Sequence, residues 1–324
     1  LPAVAPPARR GSLMPEGDTV ARQCRILHEA LAGAVLTTSD LRVPRAATAD
    51  LTGWTVREVR PRGKHLLMRL DPPAPGPPPL TLHTHLMMDG IWHVDGRALR
   101  SSDTSAGPRP ADTIRVALTA RHEDGRETRA IAYDVKQVRL VPTGDEGSLI
   151  GHLGPDLLDP LWEEDPGLRE HAVANLGAES ERPIGLALLD QQLLAGIGNI
   201  YRSELCFLRR VHPAVPIGAA GDLGEIVDLA HRLLVLNADR TVRITTGGMM
   251  GRNGELWVYG RGGRPCWRCG TRIARGELGE LRLEGAEPRV LWFCPHCQAG
   301  PGAPAARPGR EPADGRARTR RRDR

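Results

Sequence analysis

The spacing of hydrophobic and polar residues changes several times along the chain, and each pattern predicts a different kind of structure. The first pattern repeats apolar residues every three or four positions, as on one face of a helix. The residues of this face are Val20, Cys24, Leu27 and Leu31. We expect Asp18 or Thr19 to cap the helix and Gly33 to end it. Pro15 and Glu16 then lie just ahead of its N-terminus.

A second pattern, between residues 34 and 145, alternates apolar and polar residues in short runs separated by turn residues. The runs are Ala34–Val43, Thr55–Val59, His65–Leu70, Thr81–His85, Thr113–Leu118 and Glu127–Tyr133. Such alternation predicts an antiparallel β-sandwich or barrel. Gly63 permits a turn between two of these strands, and Lys64 follows it. A lysine at a strand end is usually only a solvated side chain.

Helical periodicity returns near residue 154. The predicted helices are Leu161–Leu176, Pro183–Leu194 and Leu223–Asn237. The second of these runs into Gly196-Ile197-Gly198-Asn199, after which a further helix starts with Asn199 as its expected cap. Two glycines can let backbone N–H groups converge at a helix start, which is a favourable phosphate site. The alternative is a plain packing corner between two helices.

Two C-x-x-C pairs, separated by 24 residues, form the last pattern. Their cysteines are Cys266, Cys269, Cys294 and Cys297. This spacing predicts one tetrahedral, structural zinc ion, with His296 as a bystander. Alternating residues between the pairs predict a β-hairpin, and Glu255–Gly263 is expected to be a strand that enters it. The hairpin would hold Arg289 rigidly, five residues before Cys294.

Composition narrows the class of protein. The 324 residues carry a net charge of +5, which suggests an acidic partner such as nucleic acid, the alternative being simple surface solvation. Lys64 and Lys136 are the only lysines, so a lysine beside a glycine turn is unusual here. Six cysteines, four of them in metal-type spacing, indicate a reducing compartment. No apolar run is long enough to cross a bilayer, so we expect a soluble, cytoplasmic protein with no membrane partner. We also expect it to be a monomer.

Pro15 and Glu16 could be no more than an ordinary helix start. A chain beginning at Pro15, however, would present a secondary amine beside a carboxylate, and this pair can attack a sugar carbon and move protons around it. Residues 1–14 are Pro/Ala/Arg-rich and are expected to be disordered, or to precede the true translation start. The basic tail, residues 299–324, is also expected to be disordered.

Four motifs in this order resemble the bacterial formamidopyrimidine-DNA glycosylase/endonuclease VIII family. They are Pro-Glu-Gly-Asp at Pro15, Arg-Gly-Lys at Lys64, Leu-Ala-Gly-Ile-Gly-Asn-Ile-Tyr ending at Tyr201, and the cysteine pairs ending Phe-Cys-Pro-His-Cys-Gln. The phrases PEGDTV, HLGPDLL and LWVYGR look most similar to the actinobacterial endonuclease VIII-like branch.

The resemblance implies an α+β multidomain protein. Its parts would be a catalytic β-sandwich (15–145), a helix–two-turn–helix DNA-binding domain (146–260) and a zinc finger (261–298). It also implies a bifunctional DNA glycosylase and AP lyase of base excision repair, acting mainly on oxidised pyrimidines in double-stranded or single-stranded DNA. The alternatives are an oxidised-purine glycosylase and a non-catalytic protein that binds damaged DNA.

The resemblance also implies roles for individual residues. Pro15 would be the Schiff-base nucleophile, Glu16 the proton donor and Lys64 an acid/base near the sugar. Arg289 would assist the second elimination. The implied DNA contacts are Met87, Met88, His152, Gly196, Gly198 and Asn199. Of these, Met87 and Met88 are candidates to fill the gap left by an extruded base, the alternative being packing within a strand end.

Overall fold

The computed structural model describes residues 15–74, 76–99, 109–249, 255–279 and 288–299. Its helices are α1 (Gly17–Leu31), α2 (Gly147–Ile150), α3 (Pro166–Gly177), α4 (Ile184–Ala187), α5 (Asn199–Leu208) and α6 (Leu223–Ala238). Its strands are β1 (Val35–Leu41), β2 (Thr55–Arg62), β3 (His65–Asp71), β4 (Leu80–His85), β5 (Ile91–Val94), β6 (Arg97–Ala98), β7 (Ile114–Arg121), β8 (Glu127–Tyr133), β9 (Gln137–Pro142), β10 (Ala274–Leu278) and β11 (Arg289–Phe293). Residues 1–14 and the tail from residue 300 lie outside the described ranges, so their expected disorder stays a prediction.

The β-sandwich prediction is confirmed. Nine antiparallel strands run in the order β6-β5-β8-β7-β1-β2-β3-β4-β9. The two halves meet at β1 and β2, which pair through Val35 and Thr55. Apolar residues from both halves and from α1 form one core, including Leu27, Leu36 and Met68. The alternating strands therefore bury one face together with the amphipathic face of the helix.

Most predicted strands are present, with ends shifted by at most three residues, but β5, β6 and β9 were not predicted. The first three residues of β5 are all buried, so its sequence does not alternate. β6 has two residues. β9 lies at the edge of the sheet and ends in a proline. Each of these strands is defined by its partners more than by its own pattern.

Helix α1 buries the four apolar residues predicted for its face, but the predicted caps are wrong. Its N-cap is Glu16 in an extended conformation, and the Glu16 side chain makes no capping hydrogen bond to α1. The carboxylate of Asp18 accepts from the Thr19 amide at 2.7 Å, but it also binds the guanidinium of Arg243, far along the chain. Helix α1 ends at Leu31, ahead of Gly33, whose φ is +80°.

The helical region differs from the prediction in where helices begin. Helix α3 starts at Pro166, not Leu161, because the Asp165 carboxylate accepts from the Gly167 amide and proline occupies the first turn. The predicted helix Pro183–Leu194 is only α4, followed by turns. Helix α6 agrees with its prediction to one residue at the C-terminus and is capped by Asp222.

The finger is the predicted antiparallel hairpin, in which Ala274 pairs with Phe293 and Leu278 with Arg289. The predicted strand Glu255–Gly263 is wrong, because these residues form bends and turns. The buried carboxylate of Glu204 accepts three consecutive amides of this loop, from Trp257, Val258 and Tyr259, at 2.7–2.9 Å. One carboxylate thus replaces the strand partner that the loop lacks.

Three apolar clusters follow the three predicted regions. One lies in the β-sandwich, one among the helices, and a small one joins Phe207 and Trp257 to the finger cysteines Cys266 and Cys294. The domain boundaries themselves stay predictions. Among the described residues, the structure contains no helix whose length and hydrophobicity would let it cross a membrane.

Candidate active site

The carboxylate of Glu16 is the centre of the site. It is 1% exposed and accepts hydrogen bonds from three backbone amides at the start of α5. Oε2 accepts from Gly198 at 2.8 Å and from Tyr201 at 3.3 Å, and Oε1 accepts from Ile200 at 2.7 Å. The segment that begins at Pro15, itself buried, is therefore fixed on the helix–two-turn–helix.

Glycines make this close approach possible. The Gly17 amide donates to the Gly196 carbonyl at 2.9 Å, and a Cβ on Gly17 would lie 2.9 Å from the Gly196 Cα. A Cβ on Gly198 would lie 2.5 Å from the carboxyl carbon of Glu16. These contacts are shorter than side chains tolerate, so the two backbones can meet here only through glycine.

The backbone amides of Gly196 and Gly198, which were expected to bind a phosphate, donate to protein side chains instead. The amides of Gly198, Ile200 and Tyr201 donate to Glu16, and the Gly196 amide donates to Gln191 at 3.0 Å. Helix α5 has Gly198 as its N-cap, so the prediction that Asn199 caps it is wrong. A protein carboxylate thus takes the position at the helix start that was expected for a phosphate.

Lys64 lies in a two-residue turn between β2 and β3, where Arg62 pairs with His65. Gly63 of this turn has φ +55°, and a Cβ there would lie 2.9 Å from the Ala195 Cβ. The Gly63 amide donates to Oδ2 of Asp156 at 2.6 Å, and burial raises the pKa of this carboxyl group. The turn is therefore anchored on the helical region beside Gly196.

The electrostatic surroundings of Lys64 connect it to the other candidate catalytic residues. Its side chain is partly exposed, but burial of the ammonium among protein atoms lowers its pKa to about 8. The Glu16 carboxylate opposes this lowering, and Arg289 adds to it. A lysine with such a pKa exchanges protons readily near neutral pH. The β-sandwich, the helical region and the finger thus contribute to one site.

A buried ion pair holds α1 against the helical region. Asp18 and Arg243 are 3% and 5% exposed, and the guanidinium binds the carboxylate through two hydrogen bonds of 2.7 and 2.5 Å. The Tyr201 hydroxyl donates to the same carboxylate at 2.8 Å. Burial, with the Asp18 charge, raises the pKa of Tyr201, so the hydroxyl remains a donor.

The finger is attached to α5 next to Arg289. The carbonyl of Val290 accepts from Asn199 Nδ2 at 3.0 Å and from Arg202 at 2.5 Å. Arg202 also donates to Asn199 Oδ1. The side chain of Arg289 itself is exposed. Two donors on the neighbouring carbonyl therefore fix the backbone of Arg289 while its guanidinium stays accessible.

The four predicted zinc ligands come together. The Sγ atoms of Cys266, Cys269, Cys294 and Cys297 all lie within 4.8 Å of one another. The Cys266–Cys297 and Cys269–Cys294 Sγ distances are 4.0 and 3.5 Å. Four sulfurs at about 2.3 Å from a zinc ion would be separated by roughly 3.8 Å, so the donor set fits this metal. His296 is not part of the cluster.

The remaining predicted DNA contacts lie on the surface. Met87 and Met88 are 42% and 49% exposed in the turn after β4, which excludes the packing alternative for them. Met87 has φ +53°, and its amide donates to His85. His152 is exposed in the loop after α2.

Several residues that build the site were not predicted. Arg243, Arg202, Glu204 and Asp156 each act on a partner far along the chain, as when Arg243 binds Asp18 at a separation of 225 residues. A contact between residues so far apart in the chain does not produce a sequence spacing that could be recognised. Glu204 and Arg202 did give one signal, namely charged residues on the buried face of an apolar helix.

The sandwich, the helix–two-turn–helix and the four-cysteine hairpin, meeting at Glu16, define the class of helix–two-turn–helix DNA glycosylases. Two family models match this chain, and both agree with this class. The formamidopyrimidine-DNA glycosylase N-terminal domain matches residues 14–137, and the H2TH domain of the same family matches residues 154–224. Together they cover more than half of the chain, which therefore belongs to the formamidopyrimidine-DNA glycosylase family. The resemblance inferred from the motifs is confirmed.

Similar proteins extend over nearly the whole chain. The probable endonuclease 8 2 of Streptomyces coelicolor is 48% identical over 298 residues, covering 91% of this chain and 97% of that protein. The DNA-(apurinic or apyrimidinic site) lyase Nei2 of Mycolicibacterium smegmatis is 41% identical, covering 88% and 99%. A crystal structure of Lactococcus lactis formamidopyrimidine-DNA glycosylase has the same fold, with a TM-score of 0.64 at 24% identity, covering 88% of this chain and 100% of that one.

Proposed function

We propose that this chain uses the nitrogen of Pro15 to remove oxidised bases, mainly pyrimidines, from DNA and then to cleave the abasic strand. It is a DNA glycosylase and AP lyase of base excision repair, as its family and its endonuclease 8 relatives indicate. The observation that carries the proposal is the Glu16 carboxylate, fixed by three amides one residue after Pro15.

The chemistry requires a free Pro15 nitrogen. The family match begins at Met14, which supports Pro15 as the residue after the initiator. An α-amine titrates near ~7.7–8, so part of it is unprotonated at neutral pH. Its lone pair forms a bond to C1′ of the extruded nucleotide as the bond to the damaged base breaks. A secondary amine then gives an iminium that cannot become neutral by losing a nitrogen proton.

The iminium charge acidifies the C2′ proton, and its removal expels the 3′ phosphate by β-elimination. A second elimination releases the 5′ phosphate. Oε1 of Glu16 accepts one hydrogen bond where Oε2 accepts two, so Oε1 keeps a lone pair for moving a proton to the sugar ring oxygen. Lys64 and Arg289 stabilise the departing phosphates or exchange protons with the sugar.

The DNA contacts follow from the exposed residues around this site. Apolar side chains of Met87 and Met88 would fill the space left by the extruded base. Backbone phosphates would bind near His152 and Asn199, alongside the Gly196–Gly198 turn but not at its amides of Gly196 and Gly198, which donate to Gln191 and Glu16. The Asn199 side chain would then bind DNA while supporting the finger. A mutant Lactococcus lactis relative of 25% identity, solved with a Fapy-dG-containing DNA, supports DNA as the partner.

One structural zinc ion is the proposed cofactor. Four thiolates leave no open coordination position, so the ion would supply rigidity to the finger and no catalytic step. The proposal also places the protein in the bacterial cytoplasm as a monomer that acts on damaged double-stranded or single-stranded DNA.

Lesion preference separates the proposal from its nearest alternative. An endonuclease 8 and an abasic-site lyase are 48% and 41% identical to this chain, whereas a Listeria innocua formamidopyrimidine-DNA glycosylase is 30% identical, and this difference supports the endonuclease VIII-type proposal. Cleavage rates should be compared on duplexes containing 5-hydroxyuracil, 8-oxoguanine or an abasic site. Faster cleavage at 5-hydroxyuracil is expected, and faster cleavage at 8-oxoguanine would establish the purine alternative. Tight binding to all three duplexes without cleavage would identify a non-catalytic DNA-binding protein.

A further inference from the structure

A cluster of four imidazoles lies on the outer face of the β-sandwich, beside Lys64. The core faces of β3 and β4 carry Leu66, Met68 and Leu82, so the alternate residues of these strands face outward. The residues of this histidine cluster are His65, His83, His85 and His152. It occupies the end of the sheet next to the candidate active site.

His65 is the common neighbour of the other three rings. His65 Nδ1 and His83 Nε2 are 2.8 Å apart, so a hydrogen bond joins the two rings. His65 also lies edge-on to His85, at 4.8 Å between ring centroids, and to His152 at 6.3 Å. Since His85 Nδ1 accepts the Met87 amide at 3.1 Å, neutral His85 carries its proton on Nε2. His83 is buried, whereas the other three rings are accessible to solvent.

The charged groups that act most strongly on the cluster are cations. The groups that act most strongly on its imidazoles from neighbouring elements are Lys64 and Arg62 in and before the β2–β3 turn, Arg139 on β9, and the histidines themselves. Burial first, and then these neighbours, lower the pKa of His65 to about 3 and those of His83 and His85 to about 4. Arg62 is directed to the Leu153 and Gly154 carbonyls and to Asp156 at 3.7 Å.

The opposite end of the same face is different. There, Arg69 binds Glu146 through two hydrogen bonds of 2.7 and 2.6 Å, and Glu58 at 2.7 Å. Thr81 donates to the same Glu146 carboxylate at 2.5 Å. One end of the face is thus neutralised by protein carboxylates, whereas the histidine end has the charge pattern of a site for an external anion.

We propose that a backbone phosphate of DNA binds at the histidine cluster and that the His65–His83 pair takes up one proton when it binds. The proton comes from solvent, and no covalent bond changes. The His65 imidazolium donates to the neutral His83 ring, and the phosphate balances its charge. This inference depends on the proposed function, because it takes DNA as the ligand of the neighbouring site.

Proton uptake fixes the direction of the pH effect. The free protein holds His65 neutral at physiological pH, and an adjacent phosphate raises the pKa of His65 in the complex. Between the two pKa values the complex binds one more proton than the free protein. DNA affinity must therefore fall as pH rises through this interval, by up to tenfold per pH unit for one proton.

The test uses a duplex with a tetrahydrofuran abasic analogue, which cannot be cleaved through an iminium. Its Kd should be measured between pH 5 and 7, below the range in which the Pro15 amine titrates, for the wild type, His65→Gln and His171→Gln. His171 is an exposed histidine on α3. We expect the wild type and His171→Gln to lose affinity at least threefold per pH unit as pH rises, and His65→Gln to lose this dependence. Equal pH slopes in His65→Gln and the wild type would overturn the proposal.

A second measurement requires no variant. Calorimetric titration of the wild type with the same duplex, in two buffers of different ionisation heat, counts the protons taken up. A net uptake at pH 6 supports the proposal, and none contradicts it. Failure of the proposed function would appear separately, as a wild type that binds the analogue duplex but does not cleave true abasic DNA.

Discussion

The carboxylate of Glu16 lies 2.8 Å from the amide nitrogen of Gly198, 182 residues further along the chain. This contact joins the first described residues of the β-sandwich to the turn that starts α5. It also fixes Glu16 relative to Pro15, so the geometry of the proposed nucleophile and proton carrier depends on a glycine in another part of the chain.

Gly198→Ala is expected to impair catalysis without unfolding the protein. The new Cβ would lie 2.5 Å from the Glu16 carboxyl carbon and would displace it. A displacement of about 1 Å can cost roughly 100-fold in rate, which is the loss we expect for cleavage of abasic DNA. Gly144→Ala is the matched control, because its Cβ would meet nothing within 4 Å. Equal rates for the two variants would contradict the role of this contact.

Lys64→Met is expected to abolish strand cleavage and to stabilise the protein at pH 7. The folded protein lowers the pKa of Lys64 from 10.5 to about 8, so keeping it charged below about pH 8 opposes folding. Between about pH 8 and 10.5 the unfolded chain binds more protons at this residue, so the wild type gains stability as pH rises. The variant's advantage, of order 2 kcal/mol, should therefore be constant below pH 7.5 and shrink above 8.

Urea unfolding of both proteins from pH 6.5 to 9.5 measures this difference. Lys136→Met is the control, since Lys136 is the other lysine and is exposed. An advantage of Lys64→Met that is absent at pH 7, or that grows above pH 8, would show that the ammonium is not held in unfavourable surroundings.

Some helices and strands could be predicted because the pattern that specifies them lies within their own sequence. Helix α1 and strand β8 follow from the spacing of their own apolar residues. Local sequence also gave the positions of Glu16 and Lys64, but not their partners. The Asp18–Arg243 pair and the Glu204 loop depend on which segments meet after folding. The loop at Trp257 was predicted to be a strand from its apolar residues. Its backbone amides, however, are bound by the Glu204 carboxylate and not by a neighbouring strand.

Arg289→Ala is expected to reduce strand cleavage by about 10- to 100-fold while leaving zinc content and melting temperature unchanged. The side chain is exposed, and the Val290 carbonyl keeps its donors from Asn199 and Arg202. Arg275→Ala, an exposed arginine on the facing strand, is the control. A large fall in melting temperature for Arg289→Ala would instead assign this residue to the stability of the finger.

Cys294→Ser is expected to lose the metal and to destabilise the finger, because Cys294 supplies one of four ligands and is fully buried. His296→Ala, an exposed neighbour between two ligands, should retain one zinc per chain. Metal analysis of the purified proteins and their thermal unfolding measure both effects. Retention of zinc by Cys294→Ser, or its loss from His296→Ala, would show that the four-cysteine assignment is wrong.

The central claim is that Pro15 attacks the sugar through a free nitrogen. The direct measurement is borohydride reduction of the protein mixed with abasic DNA, followed by mass spectrometry of the cross-linked peptide. A chain with Pro15 at its verified N-terminus should be trapped, with the DNA attached at Pro15, and a chain that retains residues 1–14 should not be. Absence of a trapped species from the first chain, or attachment at another residue, would contradict the account.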